Sequence, residues 1–162
     1  AIFTIEDSLT KELKENAKEL LGGDLEIDYN RNQGNIDLLN KVEEFTIMSE
    51  MVEFSTMLST TNRKKNKSLF TRIKTVDQKY PLYGEVTYEP AGAYERMQNE
   101  PYTILINESL SKTLNIKTNE IVKIQDQEFL VIGKVRSVPD VSGFVTFGDW
   151  VLTGKQLSLI HI

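Results

Sequence analysis

Two strand-like runs separated by a cluster of charges constrain this chain more than anything else in it. Thr46 to Thr60 reads TIMSEMVEFSTMLST, and Ser68 to Val76 repeats its character with Leu69, Thr71, Ile73 and Thr75 on one side. Both are rich in residues that suit a pleated, half-buried surface. Between them lies Asn62-Arg63-Lys64-Lys65-Asn66-Lys67. Charges of this density belong in a solvated turn, so the pattern predicts a β-hairpin whose tip carries them.

The flanking sequence mixes the two periodicities. Ile5, Leu9, Leu13, Ala17 and Leu20/Leu21 recur at helical spacing and predict an amphipathic helix over 6–21, stopped by Gly22-Gly23. Leu25, Ile27 and Tyr29 alternate with Glu26 and Asp28 as a half-buried strand, and a short helix is expected over 36–45. Glu89 to Glu100, with Pro90, Gly92 and the following Pro101, reads as a loop or lobe boundary. Tyr102 to Ile106 is expected as a strand, and Asn107 as the N-cap of a helix over 108–114. Ile121–Ile124 and Glu128–Ile132, joined by Gln125-Asp126-Gln127, predict a second hairpin. The sum is an α+β chain built on a mixed sheet.

The stretch Tyr80-Pro81-Leu82-Tyr83-Gly84 stands apart, an aromatic turn with no charge in it. Pro81 restricts its own φ and the residue before it, and Gly84 permits a positive φ. The segment is expected to be a rigid crossing between two lobes, over residues 1–79 and 80–162, with Tyr80, Leu82 and Tyr83 either filling the joint or facing a partner.

Composition removes several classes of function. At 162 residues the chain can bury a real core, and 40% hydrophobic with 27% charged residues describes a soluble globular domain. A net charge of −5 argues against a nucleic-acid surface. The absence of cysteine excludes disulfides, thiolate metal sites and cysteine nucleophiles. No window approaches the roughly 20 apolar residues of a membrane span. Apolar residues at both ends, Ala1-Ile2-Phe3 and Leu157 to Ile162, fit a fragment cut from a longer protein.

No catalytic, cofactor or metal site is expected. The one histidine, His161, is the second-last residue, a poor scaffold for an imidazole that must be held rigidly. Asp28-Tyr29-Asn30-Arg31-Asn32 begins like a calcium loop, but Gln33 stands where glycine is needed and Leu39 where a bidentate glutamate is needed. No Gly-x-Ser-x-Gly elbow or phosphate loop occurs. The 24 acidic residues offer pairs of carboxylates, but the sequence places no two of them together. At the hairpin tip, Arg63, Lys64, Lys65 and Lys67 are either a solvated turn or a contact for membrane headgroups, the latter weakened by salt.

Four stretches, AKELLGGDLEI (17–27), VDQKYPLYGEV (76–86), ILINESLSKTLNIKTNEIVKIQDQEFLVIGKV (104–135) and GFVTFGDWVL (143–152), together resemble the extracytoplasmic domain of FtsX-like ABC transporter permeases. The resemblance is to the YbbP-type branch, with MacB and LolC/LolE more distant. It implies a two-lobed, MacB-like periplasmic core domain, one lobe of βαβ type and a smaller mixed lobe. It also implies a non-catalytic role at the periplasmic side of the inner membrane, transmitting movement to a periplasmic lipid, lipoprotein or other hydrophobic substrate, or to a protein partner. The implied partners are a cytoplasmic ABC ATPase subunit, which hydrolyses the ATP, and a second permease copy or half. The alternative read from the residues is a free-standing soluble hydrolase or carbohydrate-binding module.

Overall fold

A computed structural model describes residues 47–64, 66–82, 84–139 and 148–155. The features expected over 6–45, including the calcium-loop-like turn, lie outside these residues, as do Lys65, Tyr83 and His161. The chain divides into two compact units, Ala1–Met48 and Ser49–Ile162, and the secondary structure described below belongs to the second.

The expected charge-tipped hairpin is present. Strand β1 (Met51–Thr60) pairs antiparallel with β2 (Ser68–Val76) from Met51 opposite Val76 to Ser59 opposite Ser68. Then follow β3 (Thr87–Glu89), α1 (Ala93–Asn99), β4 (Thr103–Asn107), α2 (Glu108–Leu114), β5 (Ile121–Ile124), β6 (Gln127–Ser137) and β7 (Trp150–Gly154). The β5–β6 hairpin is formed, with β6 running beyond Ile132.

Helix α2 starts as its cap residue requires. The Asn107 side chain accepts from the Leu110 amide at 3.1 Å, filling one of the first-turn donors, and Asn115 closes the helix with φ 50°. Helix α1 lies where the sequence reads as a loop. Gly92 turns the chain with φ 81°, and Ala93 and Met97, one turn apart, are buried against the sheet. Glu100 is extended, as a residue before proline tends to be, and ends the helix. Seven residues between two prolines carry too little periodicity to announce themselves.

The sheet is mixed and closes on itself. Its order is β3-β6-β4-β7-β2-β1-β5, and β5 pairs with β6 as well as with β1. Six strands therefore form a ring, with β3 flanking β6. The β2–β7 and β4–β6 pairs are parallel and the others antiparallel. The expected boundary at 79/80 falls within this unit, because β2 pairs along Arg72–Val76 with β7, whose residues lie some 78 positions later.

Side-chain alternation divides the core in two. Leu58, Ile73, Val151, Ile104, Ile106, Val131, Phe129, Val122 and Ile124 come from all six ring strands and cluster with Leu110 and Leu114 of α2, so this cluster fills the ring. Leu105, Ile132, Val135, Trp150 and Leu152 point the other way and pack with Val76, Tyr80 and the α1 residues Ala93 and Met97. At Gly133 a Cβ would lie 2.4 Å from the Glu89 carbonyl oxygen, so glycine is what lets β3 and α1 approach the ring so closely.

Candidate functional site

The aromatic turn is built from Asp77 onward. Its carboxylate accepts four hydrogen bonds: Oδ1 from Ser49 Oγ at 2.7 Å, the Lys79 amide at 3.0 Å and the Tyr80 amide at 3.1 Å, and Oδ2 from the Glu50 amide at 2.7 Å. An aspartate bonded to amides two and three residues on folds the chain locally without help from a helix or strand. Here it also fastens the segment entering β1 to the segment leaving β2. Glu50 adds a salt bridge to Lys155, just past β7. The segments just before β1 and just after β7 thus meet at one end of the ring, and the Asn62–Lys67 turn lies at the opposite end of β1, about 30 Å away at the usual rise per strand residue.

Tyr80 is buried, 7% exposed, among Val76, Met97 and Trp150. Lys74 Nζ, on a fully buried side chain, stands 5.2 Å from the centre of its ring and 3.5 Å from Glu53 Oε1. The Tyr80 hydroxyl is buried with no hydrogen-bond partner among the described residues. Burial, with lesser contributions from Tyr94 and Glu53, pushes its pKa well above the ordinary phenol value. The backbone is held from the helix side, since Tyr94 Oη donates to the Tyr80 carbonyl at 2.6 Å. Gln98 Nε2 in turn donates to Tyr94 Oη and to the Asp77 carbonyl, both at 2.9 Å. Burial likewise moves the Tyr94 hydroxyl up to about 12, with Asp77 and Glu95 adding and the Gln98 bond opposing.

After Tyr80 the chain turns outward. The Tyr80–Pro81 peptide is cis, Pro81 is half-buried, and Leu82 is exposed. Gly84 has φ 74°, and a Cβ there would come within 2.5 Å of Pro139 Cβ. Tyr80 therefore sits inside a joint between the sheet and α1, while Leu82 is on the surface. Both phenols stay protonated far above neutral pH, so they hold backbone and rings in place in their neutral form. Asp77, Tyr94 and Gln98 are absent from the sequence-based candidates. An aspartate three residues before the turn, and Tyr94 and Gln98 at helical spacing, are the available signals.

At the far end of the hairpin Arg63, Lys64 and Lys67 are all exposed. The turn is closed by local hydrogen bonds: Thr60 N donates to the Lys67 carbonyl at 2.9 Å and Lys64 N to the side-chain Oδ1 of Asn62 at 3.0 Å. The basic residues and the aromatic joint thus occupy opposite ends of the ring. Among the described residues no group of three or more His, Cys, Asp or Glu side chains could hold a metal ion, and no helix is long and apolar enough to cross a membrane.

Comparison with solved structures defines the class of fold. The periplasmic region of MacB from Actinobacillus actinomycetemcomitans superposes with a TM-score of 0.51 at 17% identity, over 70% of this chain and 50% of that one. A domain of a putative permease protein from Porphyromonas gingivalis gives 0.51 at 14% identity, over 68% and 51%. The fold is that of the MacB-like periplasmic domains, a mixed-sheet α+β architecture. Among curated proteins, an uncharacterized ABC transporter permease of Escherichia coli (strain K12), YbbP, is 25% identical over 147 residues, which is 91% of this chain. The resemblance to FtsX/MacB-like permease domains is therefore found in sequence and in fold alike. The chain spans 17% of the length of that permease and about half of the two crystallised chains. No family model matches.

Proposed function

We propose that this chain is the extracytoplasmic domain of an ABC transporter permease subunit at the inner membrane. In this reading it passes ATP-driven movement to a periplasmic substrate or partner, such as a lipid, a lipoprotein or other hydrophobic cargo. The observation that carries the reading is the permease match across 91% of the chain, together with the MacB-like fold. Its partners would be a cytoplasmic ATPase subunit, reached through the rest of the permease, and a second permease copy or half. The domain itself is non-catalytic, and ATP is hydrolysed by the separate subunit.

The joint suits such a role. Asp77, Glu50 and Lys155 bind the segments before β1, after β2 and after β7 together at one end of a closed ring. A closed ring with a filled core deforms little, so displacement at that end carries the far hairpin with it. In the segment that follows β2, Tyr80 is the packed anchor and Leu82 the exposed element open to a partner.

The test is the native protein extracted from its own membranes and sequenced by peptide mass analysis. The reading expects apolar spans of about 20 residues joined to the chain on both sides, and an ATPase that co-purifies. A native chain of about this length recovered only from the soluble fraction would overturn it.

A further inference from the structure

We infer that the β2–β1–β5 face of the ring, with the basic turn above it, is a docking surface for an anionic lipid bilayer. The first observation is charge segregation. From Arg63 to Lys67 the sequence has four cationic residues and no acidic one, in a chain whose net charge is −5. The second is pairing. Arg96, Lys112, Lys134, Arg136 and Lys155 each hold a carboxylate. Arg63, Lys64, Lys67 and, on β5, Lys123 hold none among the described residues, and outside this region only Lys79 and Lys117 share that state.

The third observation is where the exposed apolar side chains fall. Leu58 and Leu69 face the filled core, so Met57 and Phe70, one residue along on each strand and directly opposite one another, face outward. They are 45% and 67% exposed. On β5, Val122 and Ile124 face inward, which turns Ile121, 44% exposed, to the outer side next to the turn; its carbonyl accepts from Thr61 Oγ1 at 2.9 Å. Three large apolar side chains thus share one outer face with Lys123 and lie under a turn carrying Arg63, Lys64 and Lys67. Helix α1 packs over β4, β6 and β7, away from Met57, Phe70 and Ile121.

Apolar residues beside unpaired cations suit a surface that offers phosphate and hydrocarbon in adjacent layers. The outside of a closed ring curves outward, which fits a deformable bilayer better than a protein partner needing close complementarity. The face runs along the side of the ring, so contact would be made with the ring lying flat. This inference stands on the hairpin's own chemistry and does not depend on the permease reading.

The test is co-sedimentation of the 162-residue chain with phosphatidylcholine vesicles, with and without phosphatidylglycerol, at low and high salt. Two variants join it: Arg63→Ser/Lys64→Ser/Lys65→Ser/Lys67→Ser, and Met57→Ser/Phe70→Ser, whose circular dichroism should match the parent because Arg63, Lys64, Lys67, Met57 and Phe70 are exposed. We expect binding to the anionic vesicles only, reduced about tenfold or more by the first variant and several-fold by the second, with high salt weakening the parent. Equal binding to neutral vesicles, or full binding by the Met57→Ser/Phe70→Ser variant, would overturn the inference. So would capture by immobilised poly-glutamate without capture by vesicles, which would assign the face to an acidic protein. None of these results bears on whether membrane spans flank the chain.

Discussion

The hydroxyl of Tyr94 donates a 2.6 Å hydrogen bond to the carbonyl oxygen of Tyr80, joining a helix absent from the sequence-based expectations to the aromatic turn that stands out in them. Fourteen residues separate the two. Tyr94→Phe keeps the ring and removes the donor, and also removes the acceptor for Gln98 Nε2. The expected loss is about 1 kcal/mol, or a fall in Tm of about 2–4 °C for a chain of this size. Thermal unfolding by circular dichroism measures it, and an unchanged Tm would show that the bond adds nothing to the joint.

Asp77 should prove more sensitive. Asp77→Ala leaves Ser49 Oγ and three backbone amides without the carboxylate they share, and the expected cost is about 2–4 kcal/mol. Asp77→Asn keeps one acceptor oxygen and should lose distinctly less. Chemical denaturation of the two variants side by side gives the ranking; equal losses would mean that the charge, not the number of accepted bonds, holds the turn.

Gly84→Ala introduces two conflicts at once. The residue has φ 74°, which costs a residue with a Cβ about 1–2 kcal/mol. The added carbon would also meet Pro139 at 2.5 Å, and a proline ring cannot swing aside. A destabilisation of about 2–3 kcal/mol is expected by denaturant titration. A variant as stable as the parent would show that the crossing can be rebuilt around a different turn.

The alkaline limb of stability should report the two phenols of the joint, buried Tyr80 and half-buried Tyr94. The pKa of Tyr94 in the folded protein is about 12, above its ordinary value of 10.0, and that of Tyr80 is raised further. A folded pKa above the unfolded one gives stability that is whole below pH 10 and fades as the pH rises through the folded value. Unfolding should therefore steepen above pH 10, and Tyr94→Phe should flatten that slope while leaving the slope between pH 6 and 9 unchanged. An identical alkaline slope in parent and variant would rule out this linkage.

Local signals recovered much of this fold, and closure of the ring lay beyond them. The β1–β2 hairpin, the Asn107 cap and the β5–β6 hairpin were legible because each is specified within a few residues by alternation, a capping side chain or a turn. Strand β7 was not, since Trp150–Gly154 is buried at every position and so shows no alternation. Its parallel partner β2 lies far away in sequence, and neither strand carries a mark of the other. At the candidate site Tyr80, Pro81 and Leu82 stood out as an uncharged aromatic turn, but the groups that hold them, Asp77, Tyr94 and Gln98, are ordinary residues given meaning by the packing of α1. The outward position of Phe70 was implicit in the alternation that placed Leu69, Thr71 and Ile73 together, yet its exposure depends on where α1 stops covering the ring.

Tyr80 separates the packing of the joint from its polarity. Its hydroxyl has no hydrogen-bond partner among the described residues, so Tyr80→Phe removes a buried polar atom and nothing that binds it. Stability should stay level or rise slightly, by up to about 1 kcal/mol. Tyr80→Ala, in contrast, opens a cavity beside Val76, Met97 and Trp150 and removes the ring under Lys74, at a cost of about 3–5 kcal/mol. Urea midpoints for the two variants decide between the terms. A Phe variant that loses more than about 1 kcal/mol would mean that the hydroxyl is bonded in solution, and a mild Ala variant would mean that the turn, not the ring, anchors this end of the sheet.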